Sequence, residues 1–216
     1  MSPETRWLPL FPLNTVLFPN THMPLQVFEE RYKTMMQHCL DGDSRFGVVL
    51  IRSGSEVGEP AEPQTVGTVA KIIQVNRVSD DRMFISVQGE RRFEIKEITQ
   101  RTPYMAADVE LLEDDAEELV PPTEMEAIRL AIANHVKLAM GLNGGWVRDA
   151  RSPSDPTELS YFIAGTLQVG LQEKQNILEE DSVAKRLELE LDLLRRESEG
   201  MKRRVARELR QRFGRQ

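Results

Sequence analysis

Hydrophobic and polar positions change rhythm near the middle of the chain. In the first half the apolar residues come in short extended runs. Trp7-Leu8-Pro9-Leu10-Phe11-Pro12-Leu13 predicts a strand whose prolines suit an edge or irregular position, and Met23-Pro24-Leu25-Gln26-Val27 predicts a second. Phe28, Tyr32, Met35, Met36 and Cys39 then recur at helical spacing until Asp41-Gly42 stops them. The unbroken apolar run Phe46–Ile51 reads as a buried strand. Val66–Val78 is rich in β-branched residues and returns through Ser79-Asp80-Asp81 into Met83–Val87, a hairpin pattern. Phe93, Ile95 and Ile98, set among charged residues, predict another strand, and Tyr104–Leu112 the last.

After Pro121-Pro122 the period becomes helical. Thr123 and Glu126 have capping-box spacing, and Ile128, Ile132, His135, Val136 and Ala139 fall on one face. Gly141–Pro156 reads as a loop. Asp155, Pro156 and Glu158 then supply an N-cap acid, a first-turn proline and an acid at the third helical position, opening a helix to about Val169. A helical turn is expected around Lys174–Leu178, and Ser182 caps a final long helix to about Phe213. The expected class is α+β: a β-rich N-terminal subdomain, a small barrel-like sheet, followed by an α-helical bundle ending in a long helix. The expected boundaries are 1–117 for the β-rich part, 118–199 for the helical part and 200–216 for a basic extension.

Composition narrows the setting. The chain has 216 residues, 40% hydrophobic and 29% charged, with one cysteine, too few to form an internal disulfide. No apolar run approaches the ~18 residues of a membrane span, and Arg6, Pro9 and Pro12 break up the N-terminus as a signal peptide. These features point to the cytoplasm. Charge is uneven: the tail Gly200–Gln216 holds seven Lys or Arg and one Glu, so the rest carries −13 of a total of −7. Cations near a helix C-terminus complement its dipole, and an acidic body repels phosphate, so nucleic acid is disfavoured as a partner.

Candidate chemistry is sparse. The chain has no Gly-Lys dipeptide, no G-x-S-x-G elbow, no C-x-x-C and no H-x-x-x-H pair. His38 adjoins Cys39, but helix neighbours do not face each other, and Cys39 continues an apolar stripe, so it reads as structural. His135 lies on an apolar face and reads as a core histidine. The carboxylates Asp114, Asp115, Glu117 and Glu118 sit in linker-like sequence. We expect no catalytic residue, cofactor or metal site, and no enzyme activity. Trp146, in the loop Gly141–Arg148, is a candidate binding residue because loops carry function.

Several ordered motifs together resemble the Lon protease N-terminal domain. They are Leu8-Pro9-Leu10-Phe11-Pro12-Leu13, Val16-Leu17-Phe18-Pro19, Met23-Pro24-Leu25 and Phe28-Glu29-Glu30-Arg31-Tyr32. They continue with Val66–Ile72, Val87–Phe93, Glu173–Glu179 and Ala184-Lys185-Arg186-Leu187. The resemblance spans about Trp7 to Glu199. It implies the substrate-binding part of that family in a stand-alone bacterial form lacking the ATPase and protease domains. It further implies a non-catalytic module that binds peptides or unfolded segments, with Phe18, Met23, Leu25 and Trp146 as candidate contacts. The alternative is an adaptor or scaffold that docks a protease or self-associates through residues 183–213.

Overall fold

The computed structural model describes residues 5–58, 61–79, 82–142, 145 and 152–213. Its elements are β1 (Thr5–Leu13), β2 (His22–Val27), α1 (Glu30–Asp41), β3 (Arg45–Ser53), β4 (Glu62–Ser79), β5 (Arg82–Gln100) and β6 (Met105–Leu111). The helices α2 (Pro122–Leu142), α3 (Pro156–Thr166), α4 (Leu171–Glu179) and α5 (Val183–Phe213) follow. The expected α+β class and barrel-like sheet are observed. By contacts the chain forms two compact units, Met1–Glu113 with Leu171–Glu179, and Asp114–Gly170 with Glu180–Gln216.

In the first unit β5 organises the sheet. It pairs antiparallel with β4 on one side, and on the other with β2 through its first half and β6 through its second. Strand β6 pairs with β1, β1 runs parallel to β3, and β3 returns to β4, so five strands close into a ring. The parallel β1–β3 pair needs a crossover, and α1 provides its helix. Phe93 fills the ring: a Cβ on Gly47 or Gly67 would lie 2.6 or 2.7 Å from its side chain. Around it pack Leu8, Leu10, Val49, Val69 and Val109. A second cluster joins α1, through Met35, Met36 and Cys39, to Phe11, Phe46, Ile85 and Val87. Burial pushes the Cys39 thiol up to about 12, so it stays protonated at neutral pH, as its structural reading expected.

Two strands expected from the sequence, Met83–Val87 and Phe93–Thr99, are one 19-residue strand. The charged residues Glu90-Arg91-Arg92 lie inside that strand, and Arg92 is accommodated there by side-chain bonding. Arg92 is 1% exposed and donates to the Leu178 carbonyl of α4 and the Glu113 carbonyl, both at 3.0 Å. Helix α4, read from sequence as part of the helical half, packs on β4 instead, with Gln175 donating to the Val66 carbonyl at 3.0 Å.

In the second unit α2 begins at Pro122, with Glu124 and Met125 N–H bonded to the Pro121 carbonyl, rather than through a Thr123 capping box. Proline suits that first position because its missing N–H has no helical partner. Asp155 caps α3 as expected, its carboxylate accepting from Glu158 N–H at 2.9 Å. Ser182 stands at the start of α5, its hydroxyl accepting from Lys185 N–H at 3.4 Å. His135 is buried, 3.5 Å from Glu197, and burial holds its pKa below the ordinary imidazole value.

A polar network runs through this unit. The fully buried Arg186 donates from Nε to Ser160 Oγ at 2.7 Å, and from Nη1 to Asp114 Oδ1 and the Glu180 carbonyl, each at 2.9 Å. Its guanidinium lies 4.3 Å from the Tyr161 ring centre. Ser160 in turn donates to Glu190 Oε1 at 2.9 Å. Burial drives the Glu190 carboxyl well above the usual range, outweighing the Ser160 bond and the Arg186 charge. A carboxyl that ionises less readily in the fold than in the unfolded chain favours folding at acid pH, an advantage lost as pH rises. Glu190→Gln is therefore expected to raise Tm at neutral pH, at about 2–4 °C per kcal/mol for a chain of this size. The gain should shrink as the pH falls toward the ordinary carboxylate value. Far-UV melts at the two pH values check this; a lower Tm for the variant at neutral pH would refute it.

Candidate functional site

Ring closure leaves β2 outside. Among the described residues it pairs only with β5, in the register Met23↔Val87, Leu25↔Ile85 and Val27↔Met83. Gly89 N–H donates to the Thr21 carbonyl at 2.9 Å, which fixes the phase of the ladder. In an antiparallel pair, bonded positions alternate with positions whose main-chain groups turn away. Met23, Leu25 and Val27 therefore point their main-chain groups at β5, as Thr21 does with its carbonyl, and His22, Pro24 and Gln26 point theirs to the open side. Pro24 occupies an outward donor position, where its lack of N–H breaks no ladder bond. The edge offers the N–H groups of His22 and Gln26 and the carbonyls of His22, Pro24 and Gln26.

The side chains divide by strand alternation. Met23 and Leu25 are partly buried and pack on the core that contains Ile85 and Val87. His22, Pro24 and Gln26 are exposed on the opposite face. There Gln26 neighbours Phe84, which neighbours Asn76 across the next ladder. Phe84 is 39% exposed, and Ile73, where the β4–β5 register slips, is 48% exposed.

The turn leading into β2 is held from below. Asn20 takes φ 60°, in the left-handed region, and its N–H donates to the Gly89 carbonyl at 2.9 Å. The Phe18 carbonyl accepts from Thr21 Oγ1 at 2.7 Å and from Thr21 N–H at 3.2 Å. Thr68, fully buried, ties the preceding residue by donating to the Leu17 carbonyl at 2.6 Å.

Among the residues singled out from sequence, Met23 and Leu25 lie on β2. Phe18 does not present a contact surface: its side chain is 1% exposed because the whole apolar run Val16–Pro19 folds inward. Trp146 lies outside the described residues. Sequence reasoning missed the outward main-chain groups of His22 and Gln26. The alternation around Pro24 carried the signal, but only the pairing with β5 decides which set faces out. Among the described residues no group of three or more His, Cys, Asp or Glu is placed to hold a metal, and no helix is long and apolar enough to cross a membrane.

Fold and site together define a class: an α+β module with a closed small barrel and one strand left over, its edge open for pairing. The chain belongs to the ATP-dependent protease La (LON) substrate-binding domain family, whose profile matches residues 7–196. It is 31% identical over 201 residues to a Lon protease of Anaeromyxobacter dehalogenans and 32% identical over 199 residues to Lon protease 2 of Myxococcus xanthus. Each match covers 90% of this chain and 24% of the relative, so the chain corresponds to about a quarter of those proteins' length. Among solved structures, a Lon N-terminal domain protein from Xanthomonas campestris superposes with a TM-score of 0.64 at 26% identity, over 85% of this chain and 95% of that one. The N-terminal domain of a Mycobacterium avium complex Lon protease shares the fold, with a TM-score of 0.58 at 20% identity over 88% and 98%.

Proposed function

We propose that the chain is a non-catalytic module of the cytoplasm that captures extended or unfolded protein segments by adding them as a strand to the open edge of β2. The observation that carries this reading is the β2 edge itself, in a family described as substrate-binding. Main-chain pairing gives affinity without demanding a sequence, as a binder of varied clients needs. The donor gap at Pro24 and the short length of β2 hold that affinity down and discourage edge-to-edge aggregation. Met23 and Leu25 set the floor of the edge, and Phe84 offers an apolar contact to the client's outward side chains.

The test is a titration of a fluorescently labelled, permanently unfolded protein with the full chain. Saturable binding in the micromolar range is expected. Gln26→Pro removes one of the two outward donors at a position that breaks no β5 bond, and should weaken binding about fivefold to tenfold, the worth of one such bond plus a local clash. Its far-UV melt should match the parent. Absence of saturable binding, or an unchanged affinity in the variant, would refute edge capture.

A second reading, a partner or protease docked through α5, draws support from the exposed cations Lys202, Arg203, Arg204 and Arg207 on that helix. Removing residues 200–216 separates the two: edge capture survives the deletion, whereas docking through the basic end does not.

A further inference from the structure

Helices α2 and α5 pack together, and the pair leaves a groove of about 700 Å³ open on one flank. On α2 it is lined by Ala127, Leu130, Ala131, Asn134, Lys137 and Leu138. These residues recur three and four apart and form one stripe of the helix. Leu130, at its centre, is 62% exposed. Glu124 precedes Ala131 by seven residues and so falls on the same stripe, as Lys137 does seven residues after Leu130. The stripe thus carries an acid at its start, a base at its end, and one large apolar residue beside small ones in the middle.

We propose that this flank binds a second copy of the chain, with α2 packed antiparallel on the partner's α2 about a two-fold axis passing between Leu130 and Ala131. The charge pattern carries the choice of occupant, because the stripe is complementary to itself in that orientation. Leu130 meets the partner's Ala131, a large side chain over a small one, and Ala127 meets the partner's Asn134. Glu124 meets the partner's Lys137, and the two-fold axis makes each of these contacts twice. A parallel arrangement would set Glu124 against the partner's Glu124 and Lys137 against the partner's Lys137, so like charge excludes it. On α5 the two cations that line the groove are matched within their own helix, Lys202 by Glu199 at 2.8 Å and Arg195 by Asp192 at 3.6 Å, which leaves α2 to set the orientation. This association is separate from strand capture at β2 and from docking by the basic end of α5.

Sedimentation velocity of the full chain from about 1 to 100 μM, the range of ordinary weak dimers, is the test. A concentration-dependent dimer is expected. Leu130→Glu should leave only monomer across that range. Glu124→Lys and Lys137→Glu should each weaken the dimer about fivefold to tenfold, as each disrupts two ion pairs, and the double variant should return to within about twofold of the parent. Leu130 and Lys137 are exposed, so far-UV melts should match the parent; if Leu130→Glu alone shifts the melt, recovery in the charge-swapped double variant decides. A parent that stays monomeric throughout, as a groove meant for a different protein would leave it, overturns the proposal. So does a dimer that survives Leu130→Glu, or a charge swap that fails to restore association.

Discussion

Arg186→Ala is expected to destabilise the helical unit by about 3–5 kcal/mol, the usual consequence of removing one member of a buried ionic network. The side chain is fully buried and makes three hydrogen bonds, to Ser160 Oγ, Asp114 Oδ1 and the Glu180 carbonyl. Its removal takes away the bonds that it gives to the Glu180 carbonyl, the Ser160 hydroxyl and the Asp114 carboxylate, and leaves a cavity beside Tyr161. Tyr161 donates to the same Asp114 oxygen at 2.5 Å, so the carboxylate keeps that bond and the variant is damaged rather than unfolded outright. The local backbone shares the strain: Asp115 N–H bonds the Asp181 carbonyl at 2.9 Å, and Val183 N–H returns to the Asp115 carbonyl at 2.8 Å. Chemical denaturation followed by far-UV CD measures the loss. Arg186→Met, which keeps much of the volume, should lose nearly as much, because the missing bonds and not the missing atoms dominate. Adding Glu190→Leu to Arg186→Met should recover part of the loss, since it removes the other buried ionisable group. A cost below about 1 kcal/mol, the level of an exposed ion pair, would show that the network does not hold the unit together.

How much of this was legible in the sequence depends on the range of the contacts involved. Local patterns read correctly: a run of β-branched residues marked β4, apolar residues on either side of Gly89 marked the two halves of β5, and Asp155, Pro156 and Glu158 marked the start of α3. Cys39 and His135 sit buried, where their apolar stripes placed them. Pairings between distant segments were not legible. Nothing in the run Trp7–Leu13 announces that β1 lies parallel to β3 and antiparallel to β6, and ring closure follows from that choice. The spare edge of β2 follows from ring closure in turn, so the site was visible only as a proline-containing strand. Phe18 shows the same limit from the other side. Its place in a motif suggested a contact, whereas the bonds from Thr21 and Thr68 that turn its run inward come from the turn itself and from 51 residues away. The continuity of β5 through Arg92 was not legible for a related reason. A charge in mid-strand reads as exposure unless its partners are known, and these are two carbonyls contributed 21 and 86 residues further on.

The turn into β2 offers the second large effect, and it joins stability to the proposed binding. Gly89→Ala places a methyl group 2.2 Å from the Phe18 carbonyl oxygen and 2.9 Å from its carbon. Both are backbone atoms, so no side-chain rotation relieves the clash, and the Phe18 turn or β5 must move. Overpacking of this kind costs about 1–3 kcal/mol and at times more. The movement falls on the contacts that set the phase of β2, because Gly89 itself donates to the Thr21 carbonyl and accepts from Asn20 N–H. The five-stranded ring does not include β2, so the variant should keep its far-UV spectrum while melting several degrees lower. Its affinity for the labelled unfolded client should fall more than that of Gln26→Pro, because the whole edge shifts rather than one donor. Gly200→Ala supplies the comparison: a methyl there meets nothing within 4 Å, and replacing a helical glycine should leave stability unchanged or raise it by up to about 1 kcal/mol. If Gly89→Ala melts lower yet binds client as the parent does, capture takes place somewhere other than the edge of β2. If it melts with the parent, the turn is free to shift and does not fix that edge in place.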